Sequence, residues 1–492
     1  MTTECANDSD ARFPPRFSDQ TLERERGEGA SAGTMLIRNA HSIMTGLSGS
    51  AMRHDASLGT DIRIHAGTIT RIGHLPPEPG EEILDATDCV VYPGWINTHH
   101  HLFQSLLKGI PAGINVSLLP WLSAVPVAYR RYFDREEMLR VAARIGLVEL
   151  LLSGCSTVAD HQYHYYPGMP YDATDAIFDE AQRLGLRLVL CRGGQTVARP
   201  FDRDPPPQAA PETLDAFLGA IERDVHRYHD PSPRSMRRIA CAPSTPTWSV
   251  AADELRPIAR AARALGIRLH SHLSETVDYV NYCREVHQCT PLQFVERHEW
   301  LGPDVWYAHL VHLTPAEIDM LVATGTGMSH CPQSNCRLGS GIAPVPQLLR
   351  AGGAVSLAVD GSASNEAADM LSEALMCFRV HRAAQGAGAM PAEDVIRIGT
   401  AGGARVLGFD GIGTIAPGMA ADLAIYSLED PRHFGHHDPA IAPITGGRAG
   451  LAALLVGGRI VARHGVIPGF DMDRLRSEAK QLVAAMRRPA PN

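Results

Sequence analysis

The feature that most constrains this chain is a repeated alternation of short β-rich runs with longer helical stretches. Eight β-rich runs can be counted: VVYPGWINT, STVAD, LRLVLCR, RIACAPS, IRLHSHL, VWYAHL, TGMSHC and AVSLAVD. Helical segments stand between them, among them EEMLRVAARIGLVELLL and TPAEIDMLVATG. The second opens on Thr314-Pro315-Ala316-Glu317, a capping box with proline in the first helical position. Strands that alternate with helices form parallel βα units, and eight such units close into a barrel. The sequence therefore predicts an α/β fold with a (β/α)8 TIM-like barrel over residues 93–407.

The 492 residues exceed what the barrel needs. Near the start, LIRNAHSIMTG and DIRIHAGTITRIG alternate apolar and polar residues, the second around an Ala66-Gly67 turn. Near the end, AADLAIYSL and LAALLVGGRIVARHGVI do the same, with Gly457-Gly458 as a hairpin turn. Together they predict one small β-sandwich domain built from residues 35–92 and 408–470, with a C-terminal helix in 471–492. Residues 1–34 are polar, charged and glycine-rich without periodicity, which predicts a disordered tail and makes Met35 the natural start of the fold.

Composition removes several functions. An apolar fraction of 45% with 20% charged residues supports a large buried core. A net charge of −9 without a basic run argues against nucleic acid as a partner. No apolar stretch of membrane-spanning length occurs, and Glu4, Asp8 and Asp10 stand where a secretion signal would be basic. The ten cysteines are scattered and contain no C-x-x-C pair, which fits reduced thiols in a cytoplasmic protein.

The unusual residues fall at the C-terminal ends of the predicted strands, where barrel enzymes assemble their sites. His99 and His101 follow the first strand, His272 and Glu275 the fifth, His309 the sixth and Asp360 the eighth. On an extended segment His99 and His101 point to the same side. Each residue alone has a plainer reading: a surface or core histidine, or for Asp360 a turn or helix cap. Their joint placement favours a metal site of three histidines and one aspartate, suited to zinc or another divalent ion such as Fe2+, with room for a water whose pKa the ion lowers.

The runs PGWINTHHHLFQSLLKG, HSHLSET, YAHLV and LAVDGSASNEAADM resemble motifs of the amidohydrolase superfamily, in its cytosine/guanine deaminase and s-triazine hydrolase branch. The resemblance extends from about Leu36 to the C-terminus. Within the branch, VADHQYHYYPGMPYD, TGTGMSHCPQSN and GTAGGARVLG are most similar to deaminases of an oxidised pterin. The resemblance implies one Zn2+ per chain on His99, His101, His272 and Asp360, with Glu275, His309 and Asp360 handling protons. It implies a small heterocyclic substrate bearing an amine, water as co-substrate, and allows a homo-oligomer. Lysine occurs only at positions 108 and 480, so the fourth strand lacks the lysine that bridges two metals in related enzymes, and a mononuclear centre follows.

Candidate ring contacts are Gln104 and Arg192 as hydrogen-bond partners of an oxo or ring-nitrogen edge, with Trp121 and Tyr163 as walls. The alternatives are loop core for Trp121 and a structural ion pair for Arg192. His100, His161, His164 and His330 remain unassigned. Three activities stay open: deamination of an oxidised pterin or of 8-oxoguanine or guanine, displacement of chloride or amine from an s-triazine, and a catalytically silent binding protein.

Overall fold

The structure is a computed structural model that describes residues 33–202, 205–447 and 449–487. The predicted tail lies almost wholly outside the described residues. Eight parallel strands pair in sequence order: β1 (Trp95–His100), β2 (Cys155–Gln162), β3 (Arg187–Arg192), β4 (Arg237–Cys241), β5 (Arg268–Leu273), β6 (Val305–His309), β7 (Gly327–His330) and β8 (Ala354–Leu357). All eight predicted runs carry one of them. The ring is drawn shut between β1 and the segment after β8 by a parallel bridge of His100 with Asp360 and by Asp360 N–H donating to His99 C=O at 3.1 Å.

Burial explains why these strands read as nearly continuous apolar runs. Every residue of β2 and β3 is buried, because the barrel interior covers one face and the helices the other. The polar exceptions pair with one another. Thr98 Oγ1 lies 2.7 Å from both Ser329 Oγ and Ser356 Oγ, which ties β1 to β7 and β8 beneath the site.

Strands from the two chain ends form two further sheets. One holds, in order, Thr68–Gly73, Asp61–His65, Thr34–Arg38 and Glu82–Asp85; the other holds Arg459–Arg463, Gly450–Val456, Leu423–Ser427, Cys89–Pro93 and Ser42–Ile43. Their inner faces share one apolar core that includes Ile37, Ile62, Ile64, Val91, Ile425 and Leu455. The two expected hairpin turns are present. Ala66-Gly67 and Gly457-Gly458 all have positive φ, the conformation that matches strand twist in a two-residue hairpin. The turns also touch: a Cβ on Gly67 would stand 2.5 Å from Gly457 O and one on Gly458 would stand 2.7 Å from Gly67 Cα, so neither Gly67 nor Gly458 has room for a side chain.

The run VVYPGWINT needs a correction. It is two strands, Cys89–Pro93 in the small sheet and β1 in the barrel, parted at Gly94, whose N–H donates to Asp422 C=O at 2.8 Å. The helix Pro315–Thr324 has the full Thr314–Glu317 capping box, and the chain's last described helix is Met472–Met486. No helix among the described residues is long and apolar enough to cross a membrane.

Candidate metal centre

The strand ends bring the sequence-derived residues to one point. His101 Nε2 lies 3.1 Å from His272 Nε2, and Asp360 Oδ1 lies 3.3 Å from both His99 Nε2 and His101 Nε2. One ligating atom from each of His99, His272, His309 and Asp360 falls within 4.8 Å of the others, as it does for His99, His101, His161 and His272. Buried His99 Nε2 makes no hydrogen bond. A lone pair left without a donor in a buried site fits a bound cation.

Each imidazole is oriented through its other nitrogen, which leaves Nε2 for the centre. His99 Nδ1 pairs with His270 Nε2 at 2.8 Å, and His270 Nδ1 donates to Trp306 C=O at 3.0 Å. His101 Nδ1 donates to His161 C=O at 2.8 Å, His272 Nδ1 to Ser244 C=O at 2.6 Å, and His309 Nδ1 to Asn335 Oδ1 at 3.0 Å. Asp360 turns Oδ2 away from the histidines to accept from Ser334 Oγ at 2.5 Å and Ser364 Oγ at 2.8 Å. Burial lowers the pKa of His99 and His272 well below the usual imidazole value, which favours the neutral form that a metal would need.

The backbone is strained at the same places. Ser274, His309, Leu310 and Asp360 all have positive φ, between 44° and 75°. Residues with side chains adopt this region at a cost of about 1–3 kcal/mol each, and such outliers cluster at functional sites. Here they turn the chain sharply after β5, β6 and β8, which is how Glu275, His309 and Asp360 face inward. Gly361 serves the same turn, since a Cβ there would stand 1.9 Å from Gln104 Oε1.

A cavity opens over the centre. His101, His272, Glu275, His309 and Asp360 form its floor. Glu275 is buried, with Oε2 3.6 Å from His309 Nε2. Burial first, and the Asp360 charge second, raise its pKa well above the ordinary carboxyl range, which favours the protonated form. Of the candidate ring contacts, Gln104, Trp121 and Tyr163 line this cavity, and Gln104 Nε2 donates to Tyr163 Oη at 3.0 Å. Arg192 does not line it. Its guanidinium is closed by Glu212 at 2.6 and 2.7 Å and stacks on Tyr165 at 4.0 Å, the structural ion pair of the plainer reading.

Sequence reasoning missed Arg130, Arg199, Trp248 and Tyr279, which also line the cavity. Arg130 is the telling omission. It is 3% exposed, its Nε has no hydrogen-bond partner, and its guanidinium sits 5.4 Å from the Tyr163 ring centroid. Burial first, then repulsion from Arg199, lowers its pKa to about 10, which still leaves it cationic at neutral pH. No local signal separated it from Arg131 and Arg135 beside it. Of the unassigned histidines, His100 Nδ1 donates to Asp360 C=O at 2.5 Å, His161 Nε2 pairs with Ala242 C=O at 2.7 Å and His164 Nε2 with Phe133 C=O at 3.2 Å.

Residues 90–461 match the amidohydrolase family. The chain belongs to the amidohydrolase family. Among its relatives is an isoxanthopterin deaminase from an unknown prokaryotic organism, 53% identical over 92% of this chain and 97% of that protein. An 8-oxoguanine deaminase of Pseudomonas aeruginosa is 37% identical over 91% of this chain and 99% of that one. Among solved structures, the atrazine chlorohydrolase of Arthrobacter aurescens TC1 complexed with zinc superposes with a TM-score of 0.83 at 27% identity, covering 91% of this amidohydrolase and all (100%) of the other chain.

Proposed function

We propose that this amidohydrolase is a zinc-dependent deaminase of an amino-substituted oxo-heterocycle, with isoxanthopterin as its substrate. The observation that carries the reading is the meeting, in one cavity, of a histidine–aspartate cluster and the buried Glu275 carboxyl group, whose Oε2 lies 3.6 Å from His309 Nε2. His99, His101, His272 and Asp360 would hold the ion, which supplies Lewis acidity and makes water a stronger acid. The chain's 53% identity to an isoxanthopterin deaminase supports the substrate, and the zinc complex of the atrazine chlorohydrolase supports the metal.

The residues divide the proton transfers between them. Asp360, with His309 beside it, takes a proton from water as the new C–O bond forms at the carbon bearing the amine. Glu275 donates its proton to the adjacent ring nitrogen, which relieves the charge that builds up as aromaticity is lost. Asp360 passes its proton to the departing amine, the C–N bond breaks and ammonia leaves. Glu275 recovers a proton from the new hydroxyl, leaving an oxo group and a ring N–H. Arg130, cationic and free of any carboxylate in the cavity wall, faces the oxo edge of the ring. Trp121, Trp248 and Tyr279 supply flat apolar walls.

A substrate panel tests this. Isoxanthopterin, pterin, guanine, 8-oxoguanine, cytosine, melamine and a chlorotriazine are compared by kcat/KM, the ratio that measures discrimination. The expected outcome is ammonia release with isoxanthopterin ahead of the others. A clear preference for 8-oxoguanine would overturn the substrate and keep the chemistry, whereas dominant chloride release would overturn deamination.

A further inference from the structure

A second group of metal-ligating side chains lies away from the catalytic cavity. His330 ends β7, and Cys377 and His381 sit one turn apart on the helix Met370–Gln385. The i, i+4 spacing places both on one helix face, and that face meets His330. His330 Nε2 and His381 Nε2 are 3.0 Å apart, and one ligating atom from each of the three residues lies within 4.8 Å of the others. The catalytic centre has the same signature in the 3.1 Å between His101 Nε2 and His272 Nε2. Two nitrogens bound at about 2.0 Å to one tetrahedral ion stand only slightly further apart. All three side chains are buried, and none lines the catalytic cavity.

The surroundings restrict what such a site holds. Burial holds both imidazoles below their ordinary pKa, in the neutral form that ligates. No other histidine, cysteine, aspartate or glutamate joins the group among the described residues. Glu373, one turn before Cys377, is engaged elsewhere: Oε1 accepts from Gln333 Nε2 at 2.9 Å and Oε2 from Gln333 N–H at 3.2 Å. The group therefore offers two neutral nitrogens and one thiol sulfur, whose pKa burial raises, so that a cation must displace the Cys377 proton to gain a thiolate ligand.

We propose that His330, Cys377 and His381 form a closed, three-coordinate site for a soft monovalent cation, with Cu(I) as the ion that fits. A thiolate and Cu(I) sum to no net charge, so nothing charged is left buried. A divalent ion on the same three ligands would leave a net positive charge with no fourth ligand, which is costly in a dry interior. Sulfur and imidazole ligands suit Cu(I) in softness. Binding releases one proton, from the Cys377 thiol, and the copper keeps its oxidation state.

The test uses the zinc-loaded enzyme isolated anaerobically from copper-supplemented cells, in a Cys5→Ser/Cys336→Ser background. Cys336 is the exposed thiol among the described residues, and Cys5 lies outside them. The expected result is one copper per chain beyond the catalytic metal, retained through dialysis against a chelator that strips the more open catalytic centre. Cys377→Ser should lose that copper while keeping wild-type kcat/KM for deamination. Copper-edge absorption should show two nitrogens and one sulfur around the metal. Should Cys377→Ser not fold, His381→Gln and the absorption spectrum of the parent enzyme give the same reading. Unchanged copper in both variants, zinc at these ligands in place of copper, copper found only at the catalytic centre, or no copper retained would each overturn the proposal. Deaminase activity is read separately, so these outcomes do not bear on the proposed reaction.

Discussion

Glu275→Gln separates proton transfer from every other role this residue could have. The carboxyl is buried, faces His309 Nε2 at 3.6 Å, and its pKa is pushed up by burial and the Asp360 charge, which favours the protonated form. A protonated glutamate and a glutamine have nearly the same shape and no charge, so the exchange leaves cavity packing and local electrostatics almost unaltered. Stability should change by less than about 1 kcal/mol, in the range of substitutions that create neither a cavity nor an unpaired charge. The amide cannot release a proton to the ring nitrogen. Loss of a positioned general acid lowers turnover by roughly 10²–10⁴-fold, which corresponds to about 3–5 kcal/mol of barrier. Three measurements on one preparation decide the matter: kcat/KM from ammonia release, metal per chain, and the urea midpoint. The expected pattern is a collapse in the first with the other two unchanged. Full activity would remove Glu275 from the proton path. A fall in metal content would instead make it a ligand, and with it would go the argument that the carboxyl is neutral.

Arg130→Met should raise KM for an oxo-bearing ring and weaken discrimination by about 1–3 kcal/mol, seen as a smaller kcat/KM ratio between isoxanthopterin and melamine; an unchanged ratio would refute its placement against the oxo edge. Arg192→Met leaves the part-buried Glu212 without its partner, so the urea midpoint should drop by the equivalent of about 1–3 kcal/mol while kcat/KM of the folded enzyme holds. A KM defect without destabilisation would restore Arg192 as a ring contact. Acid should destabilise the fold between pH 6.5 and about 4. His100 is depressed from 6.5 to about 4 and His164 to about 3, both mainly by burial. The unfolded chain therefore binds more protons across that window, and stability is lost as pH falls. His164 alone should account for on the order of 2 kcal/mol by pH 5, and His164→Gln should flatten the slope of urea midpoint against pH. An equal slope in the variant would refute the assignment.

What the sequence alone determined about this protein is what periodicity and local chemistry encode. The alternation of β-rich and helical segments specified eight βα units, because a strand covered on both faces must be apolar throughout. The Thr314–Glu317 capping box and the Gly457-Gly458 turn are local devices, and each is where its residues placed it. The candidate ligands could be grouped from sequence because barrel topology sends every strand's C-terminal end to the same face. Tertiary structure decided what depends on partners distant in the chain. VVYPGWINT is β-prone along its whole length, and only the pairing of Cys89–Pro93 with Leu423–Ser427 divides it between two sheets. An arginine reads alike whether it meets Glu212, as Arg192 does, or stands in a cavity wall without a carboxylate, as Arg130 does. The left-handed backbone at His309 and Asp360 carries no glycine to announce it, since it is imposed by the contacts around the centre. His330 and His381 are separated by 51 residues and meet only because the helix after β8 packs back against the end of β7. Local spacing sets which way a side chain points along its own element, and the packing of elements sets what it finds there.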